Sequence, residues 1–160
     1  MERKIDRQIE ILRIAVLTLS IICLAFFVLS LTSCKKDDIV NTCYKVLRTS
    51  RDLYTMTMQS AADLYKQGKL SDKQKQEIIY YGNIFYGEYL VAVNTLEEYK
   101  KGEVTKLDLI SIMSNLLQNQ SNFLKAYEST GHKLPEDVIV LATQIQKLVM
   151  DLQKSETGGK

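Results

Sequence analysis

The side chains able to do chemistry near neutral pH are few in this 160-residue chain: one histidine, His132, three cysteines, Cys23, Cys34 and Cys43, and 19 Asp and Glu. A di-iron bundle needs Glu-x-x-His pairs on two helices, and haem needs an axial His in the core or a Cys-x-x-Cys-His attachment site. With a single His and no clustered Cys, neither site assembles, nor does a zinc site. His132 follows Gly131 in a turn between helical stretches and reads as a solvated loop residue. No Ser has a His base nearby, and no pair of carboxylates falls within the apolar stripes where its pKa would be tuned. Gly82-Asn-Ile-Phe-Tyr-Gly87 has the glycine spacing of a phosphate loop, but Glu88-Tyr89 stands where Lys and Ser/Thr are required. The expectation is a protein that is not an enzyme and holds no cofactor and no metal.

Cys34 is the exception, because of where it stands. Residues 1–13 carry four basic and three acidic side chains, and the 19 residues from Ile14 to Thr32 carry no charge. That run is long enough for a helix to cross a hydrocarbon core of roughly 30 Å. It ends in Leu31-Thr32-Ser33-Cys34, which resembles the lipobox of bacterial lipoprotein precursors. The resemblance covers the targeting segment alone. It implies a diacylglycerol on the Cys34 thiol, cleavage just before Cys34 by a dedicated signal peptidase, and a mature chain held to membrane lipid by its acyl anchor. It also implies a place in the bacterial cell envelope. Lys35, rather than Asp, follows the Cys, which by the same resemblance favours the outer membrane where the host is Gram-negative. A secretory apolar region is usually roughly 7 to 15 residues, so the length of this one favours the alternative, an uncleaved single-pass anchor.

After cleavage Cys43 would be the only thiol left, so no intramolecular disulfide could form. It lies at helical spacing between Ile39/Val40 and Val46/Leu47 and reads as a buried core thiol. The full chain has a net charge of +2, and residues 34–160 carry 17 Lys and Arg against 16 Asp and Glu. A nucleic-acid binder needs a dense basic face, whereas charges of both signs alternate here, so nucleic acid is not expected as a partner.

Beyond the tether the apolar residues recur at three and four and never in sustained alternation, which predicts helices and no strands. The first helix opens near Asp37-Asp38 and stops at Gly68. Ser71-Asp-Lys-Gln74 resembles a capping box that starts a second, stopped by Gly102. Thr105-Lys-Leu-Asp108 starts a third that runs towards Gly131, and Pro135 suits the first position of a fourth. The connections are only a few residues long, so neighbouring helices must run antiparallel. The expected fold is all-α: an antiparallel up-down-up-down four-helix bundle behind an N-terminal hydrophobic signal or anchor helix. Its parts are residues 1–33 as the signal or anchor, 34–37 as a lipidated tether, 38–154 as the bundle and 155–160 as a disordered tail. A three-helix arrangement with the first helix detached is the alternative.

Gly82 and Gly87 fall inside the second helix, where each costs about 1 kcal/mol relative to Ala. They lie among Tyr80, Tyr81, Phe85, Tyr86 and Tyr89. Large rings need small neighbours where helices approach closely, which accounts for the glycines structurally. Tyr80 and Tyr86 fall off the core stripe, and with Asn83 they are the candidate partner-binding residues, since Tyr is favoured in interfaces. The expected function is that of a small membrane-anchored lipoprotein acting non-enzymatically through contacts with an unidentified extracytoplasmic protein, in a structural, accessory or inhibitory role. The alternatives are a single-pass membrane protein, or a carrier of a small apolar ligand in a Tyr/Met-lined cavity.

Overall fold

Local chemistry sets where the helices start. Ser71 and Thr105 each hold extended backbone and accept a bond from the amide three residues on, Gln74 N–H at 3.3 Å and Asp108 N–H at 3.2 Å. The side chains of Gln74 and Asp108 return the bond, accepting from the Ser71 and Thr105 amides at 2.9 Å in both cases. Two full capping boxes result. Helix ends are set just as locally. Gly68 and Gly102 take positive φ (70° and 82°), and the residue after each donates back across the last turn, Lys69 N–H to Leu64 O (2.9 Å) and Glu103 N–H to Glu98 O (3.0 Å). Pro135 stands one place earlier than expected, at the cap: its carbonyl accepts from the Ile139 amide, and the helix begins at Glu136.

The computed structural model describes residues 38–157. Among them all regular structure is helical and no strand occurs, as a helical bundle requires: α1 (38–66), α2 (Asp72–Lys101), α3 (Lys106–Glu128) and α4 (Glu136–Thr157). The apolar run 14–32, the lipobox residues Leu31, Thr32, Ser33 and Cys34, and the tether lie outside the described residues. Among the described residues no helix is long and apolar enough to cross a membrane. α4 continues past the expected end at 154; Ser155 donates its hydroxyl to Leu152 O, and Lys106 Nζ donates to Ser155 O at 2.9 Å.

α1 is part of the core. Its residues Cys43, Val46, Leu47, Leu53 and Ala61 are buried, as are Ile78, Phe85, Ala92 and Leu96 of α2, Leu109, Met113, Leu116 and Phe123 of α3, and Val138, Ile145 and Val149 of α4. Contacts run in opposite order along α1 and α2: Tyr44 bonds Glu97, Tyr54 packs on Tyr86, and Tyr65 bonds Asp72. Across α1 and α3, Ser60 Oγ and Tyr127 Oη share a 2.6 Å bond. At one end the loops are joined, His132 Nε2 lying 3.2 Å from Lys69 O and Gln74 Nε2 donating to Thr130 O.

Among the described residues four buried polar side chains interrupt the stripes: Ser50, Thr57, Thr95 and Gln120. Thr57 and Thr95 donate to the carbonyls four residues back, Leu53 O and Val91 O. Such back-bonding lets a hydroxyl occupy an apolar position without an orphaned donor.

The hydroxyl and then the amide of Thr105 hold the Asp108 carboxyl below the usual carboxylate range. The cap's stability is therefore present above the unfolded carboxylate pKa of about 4 and is lost as pH falls through the lower folded value. Thr105→Ala should cost about 1 kcal/mol at pH 7. In urea titrations followed by helical circular dichroism, the gap between wild type and variant should close on acidification.

Candidate functional site

The aromatic segment of α2 divides into an inward and an outward set. Inward, the ring of Phe85 stacks on that of Phe123 (centroids 5.8 Å apart, planes at 18°), and Tyr54 of α1 lies 5.9 Å from Phe123 and 6.4 Å from Phe85. Gly82 lets this three-helix cluster close. A Cβ there would stand 3.1 Å from Phe123 Cε2 and 3.2 Å from Met58 Sδ. The expected structural account of the glycines therefore fits Gly82. It does not fit Gly87, which is exposed and has nothing within 4 Å of where its Cβ would be.

Outward, Tyr80 is 62% exposed, its ring edge-on to Tyr81 at 5.2 Å, and Asn83 is exposed beside it. Tyr86 goes elsewhere: its ring packs 5.1 Å from Tyr54 and 5.6 Å from Tyr89, on the α1 side of the helix. Asn83 thus lies three residues from each tyrosine, with Tyr80 on one flank and Tyr86, 39% exposed, on the other, towards α1. The structure adds three residues that the aromatic emphasis passed over, Ile84, Leu90 and Val91, which are 39%, 47% and 46% exposed. Their signal was in the sequence. Tyr80, Ile84, Gly87 and Val91 follow the four-three-four spacing of one helical face, offset from the core stripe.

Beyond Tyr86, at the α1–α2 edge, Lys100 Nζ donates to Tyr44 Oη (3.0 Å) and to both Glu97 oxygens (3.0 and 3.1 Å). The Lys100 bond, followed by the Tyr44 bond, holds the Glu97 carboxyl low, and the Tyr44 and Glu97 bonds push the Lys100 ammonium up. These groups are solvated, and their pairing contributes little to stability.

Between α3 and α4 runs an open groove of about 590 Å³, lined by Leu117, Leu124, Ile139, Ala142 and Gln146 and by no tyrosine or methionine. Gln120 also lines it, 3% exposed, and its Oε1 has no hydrogen-bond partner. Buried amides give no apolar periodicity, so sequence reading missed it. Cys43 is fully buried and free, and burial pushes its thiol up to about 12, where it is unreactive. No three His, Cys, Asp or Glu side chains gather among the described residues.

Compared with known proteins, the chain matches no family model, no curated protein and no solved structure.

Two substitutions test this geometry. Gly82→Ala gains helix propensity but drives a methyl into the Phe123 ring, which Tyr54 and Phe85 hold in place. Overpacking should win, by about 1 kcal/mol net. Gln120→Met keeps the volume and removes the orphaned acceptor, and should stabilise the fold by about 1 kcal/mol. Opposite shifts in the urea midpoint are the expected readout.

Proposed function

We propose that this chain is a membrane-anchored bacterial lipoprotein whose antiparallel up-down-up-down bundle acts without catalysis, through contacts with other proteins of the cell envelope. The observation that carries the proposal is Cys34 directly behind Leu31-Thr32-Ser33, at the end of a 19-residue uncharged run. Acylation of Cys34 would leave only Lys35, Lys36 and Asp37 before the first described residue, Asp38, at most about 14 Å of chain. The bundle would then work close to the membrane surface. Contact rather than chemistry is supported by the exposed apolar residues Tyr80, Ile84 and Val91 on one face of α2. The opposed order of contacts along α1 and α2 supports the antiparallel topology.

A second reading has one observation in its favour. The apolar run is longer than a secretory signal usually needs, which suits an uncleaved anchor. Intact mass of the protein extracted from bacterial membranes, with and without an inhibitor of the lipoprotein signal peptidase, separates the two. Residues 34–160 plus acyl chains, with precursor accumulating under inhibitor, is the expected result. An unmodified full-length mass in both samples would overturn lipidation and make residues 14–32 a membrane anchor.

A further inference from the structure

Gln120 destabilises the fold as it stands, and its position indicates what would relieve the strain. The residue is 3% exposed, its Oε1 is buried with no hydrogen-bond partner, and it is the one buried polar side chain in the wall of the groove between α3 and α4. A donor is missing at that place. Rotation about the last bond of a Gln side chain is broad, so a small turn presents Oε1 to the groove. A peptide unit laid there answers both halves of the amide, its N–H donating to Oε1 and its carbonyl accepting from Nε2.

The groove has the dimensions of an extended chain. α4 packs on α3 more loosely than α2 does, which leaves the seam open. The opening runs along α3 from Ser114, whose Oγ accepts from Gln153 Nε2 at 3.0 Å, to Glu128. That is roughly 21 Å at 1.5 Å per helical residue, the span of about six residues of extended chain. A small ligand is normally enclosed over most of its surface, which a trough open along its length does not provide.

The walls set the chemistry of the occupant. Leu117, Leu124 and Ile139 supply apolar surface, Gln118 and Gln146 supply neutral amides, and the two charged residues, Lys125 and Glu128, are opposite in sign and lie at one end. A charged side chain seated among the leucines would lose its water and find no partner. The segment that fits is uncharged and apolar.

We infer that the α3–α4 groove binds an extended, uncharged, apolar peptide segment of another protein, held through its main chain by the Gln120 amide. The inference rests on the protein-contact function proposed above and gives that contact a place and a partner chemistry. An acceptor left orphaned in the free chain and satisfied by a partner's N–H gives up stability where binding recovers it.

The test is selection of random heptapeptides displayed on phage against the full chain, extracted from bacterial membranes into lipid discs. Selected sequences, made as blocked peptides and titrated by calorimetry, are expected to be uncharged and apolar and to bind Gln120→Met about tenfold more weakly. Because that substitution is expected to stabilise the fold, the loss reports the amide and not unfolding. Methylation of the peptide nitrogen that meets Gln120 should cause a similar loss in wild type and little further loss in Gln120→Met. Ile139→Asp, in the exposed part of the wall, should weaken binding in both. Peptides that bind wild type and Gln120→Met equally would overturn this site while leaving protein contact standing. Charged peptides, or none, would overturn the inference. Benzoylphenylalanine in place of Tyr80, photoactivated in bacterial membranes, then reports separately on protein contact at the α2 face, an adduct with another protein upholding it and no adduct removing it.

Discussion

The packing of this bundle turns on one close approach. At Gly82, α2 comes near enough to α1 and α3 that a single methyl would press on Phe123 and Met58, and around that point the rings of Tyr54, Phe85 and Phe123 gather from three helices. Rings bury more apolar surface per residue than any other side chains, so the cluster dominates the core locally. Its geometry also fixes how α2 is turned. Once Gly82 and Phe85 point inward, Tyr80, Ile84, Gly87 and Val91 must point away from the core, because one helical face cannot do both. The exposed face is thus a consequence of the same contact that builds the core.

The polar core residues show how far apolar periodicity can be relaxed. Thr57 and Thr95 take stripe positions and return their hydroxyls to the backbone of the preceding turn. Ser60 meets Tyr127 across helices, which ties the hydroxyl end of a buried ring. Ser50 and Gln120 are different: the Ser50 hydroxyl has no hydrogen-bond partner, and neither has the Gln120 carbonyl oxygen at the edge of the α3–α4 groove. A single unsatisfied amide there costs on the order of 1–3 kcal/mol, a considerable fraction of a small domain's stability.

Between the two glycines of α2 the contrast is physical. Both cost helix propensity, but only Gly82 recovers it within the chain, through packing that Ala would disturb. Gly87 recovers nothing in the isolated fold. Similarly, Tyr80 and Tyr86 are alike in sequence and unlike in place: one is 62% exposed, the other leans on Tyr54.

Helix identity, and the limits set by caps between α1 and the start of α3, were legible from the sequence alone. Ser71 with Gln74, Thr105 with Asp108, and Gly68 and Gly102 behind their helices act through hydrogen bonds spanning three to five residues, so no knowledge of the rest of the chain is needed to read them. Most of the core followed from spacing for the same local reason. The targeting chemistry expected of Cys34 is likewise written entirely in neighbouring residues. What only the tertiary structure decided was which of two identical glycines is buried, which tyrosines share a face, and where polar groups enter the core. Those outcomes depend on which helix lies opposite, and residues such as Phe123 and Tyr54, far away in sequence, settle them by occupying or vacating the space.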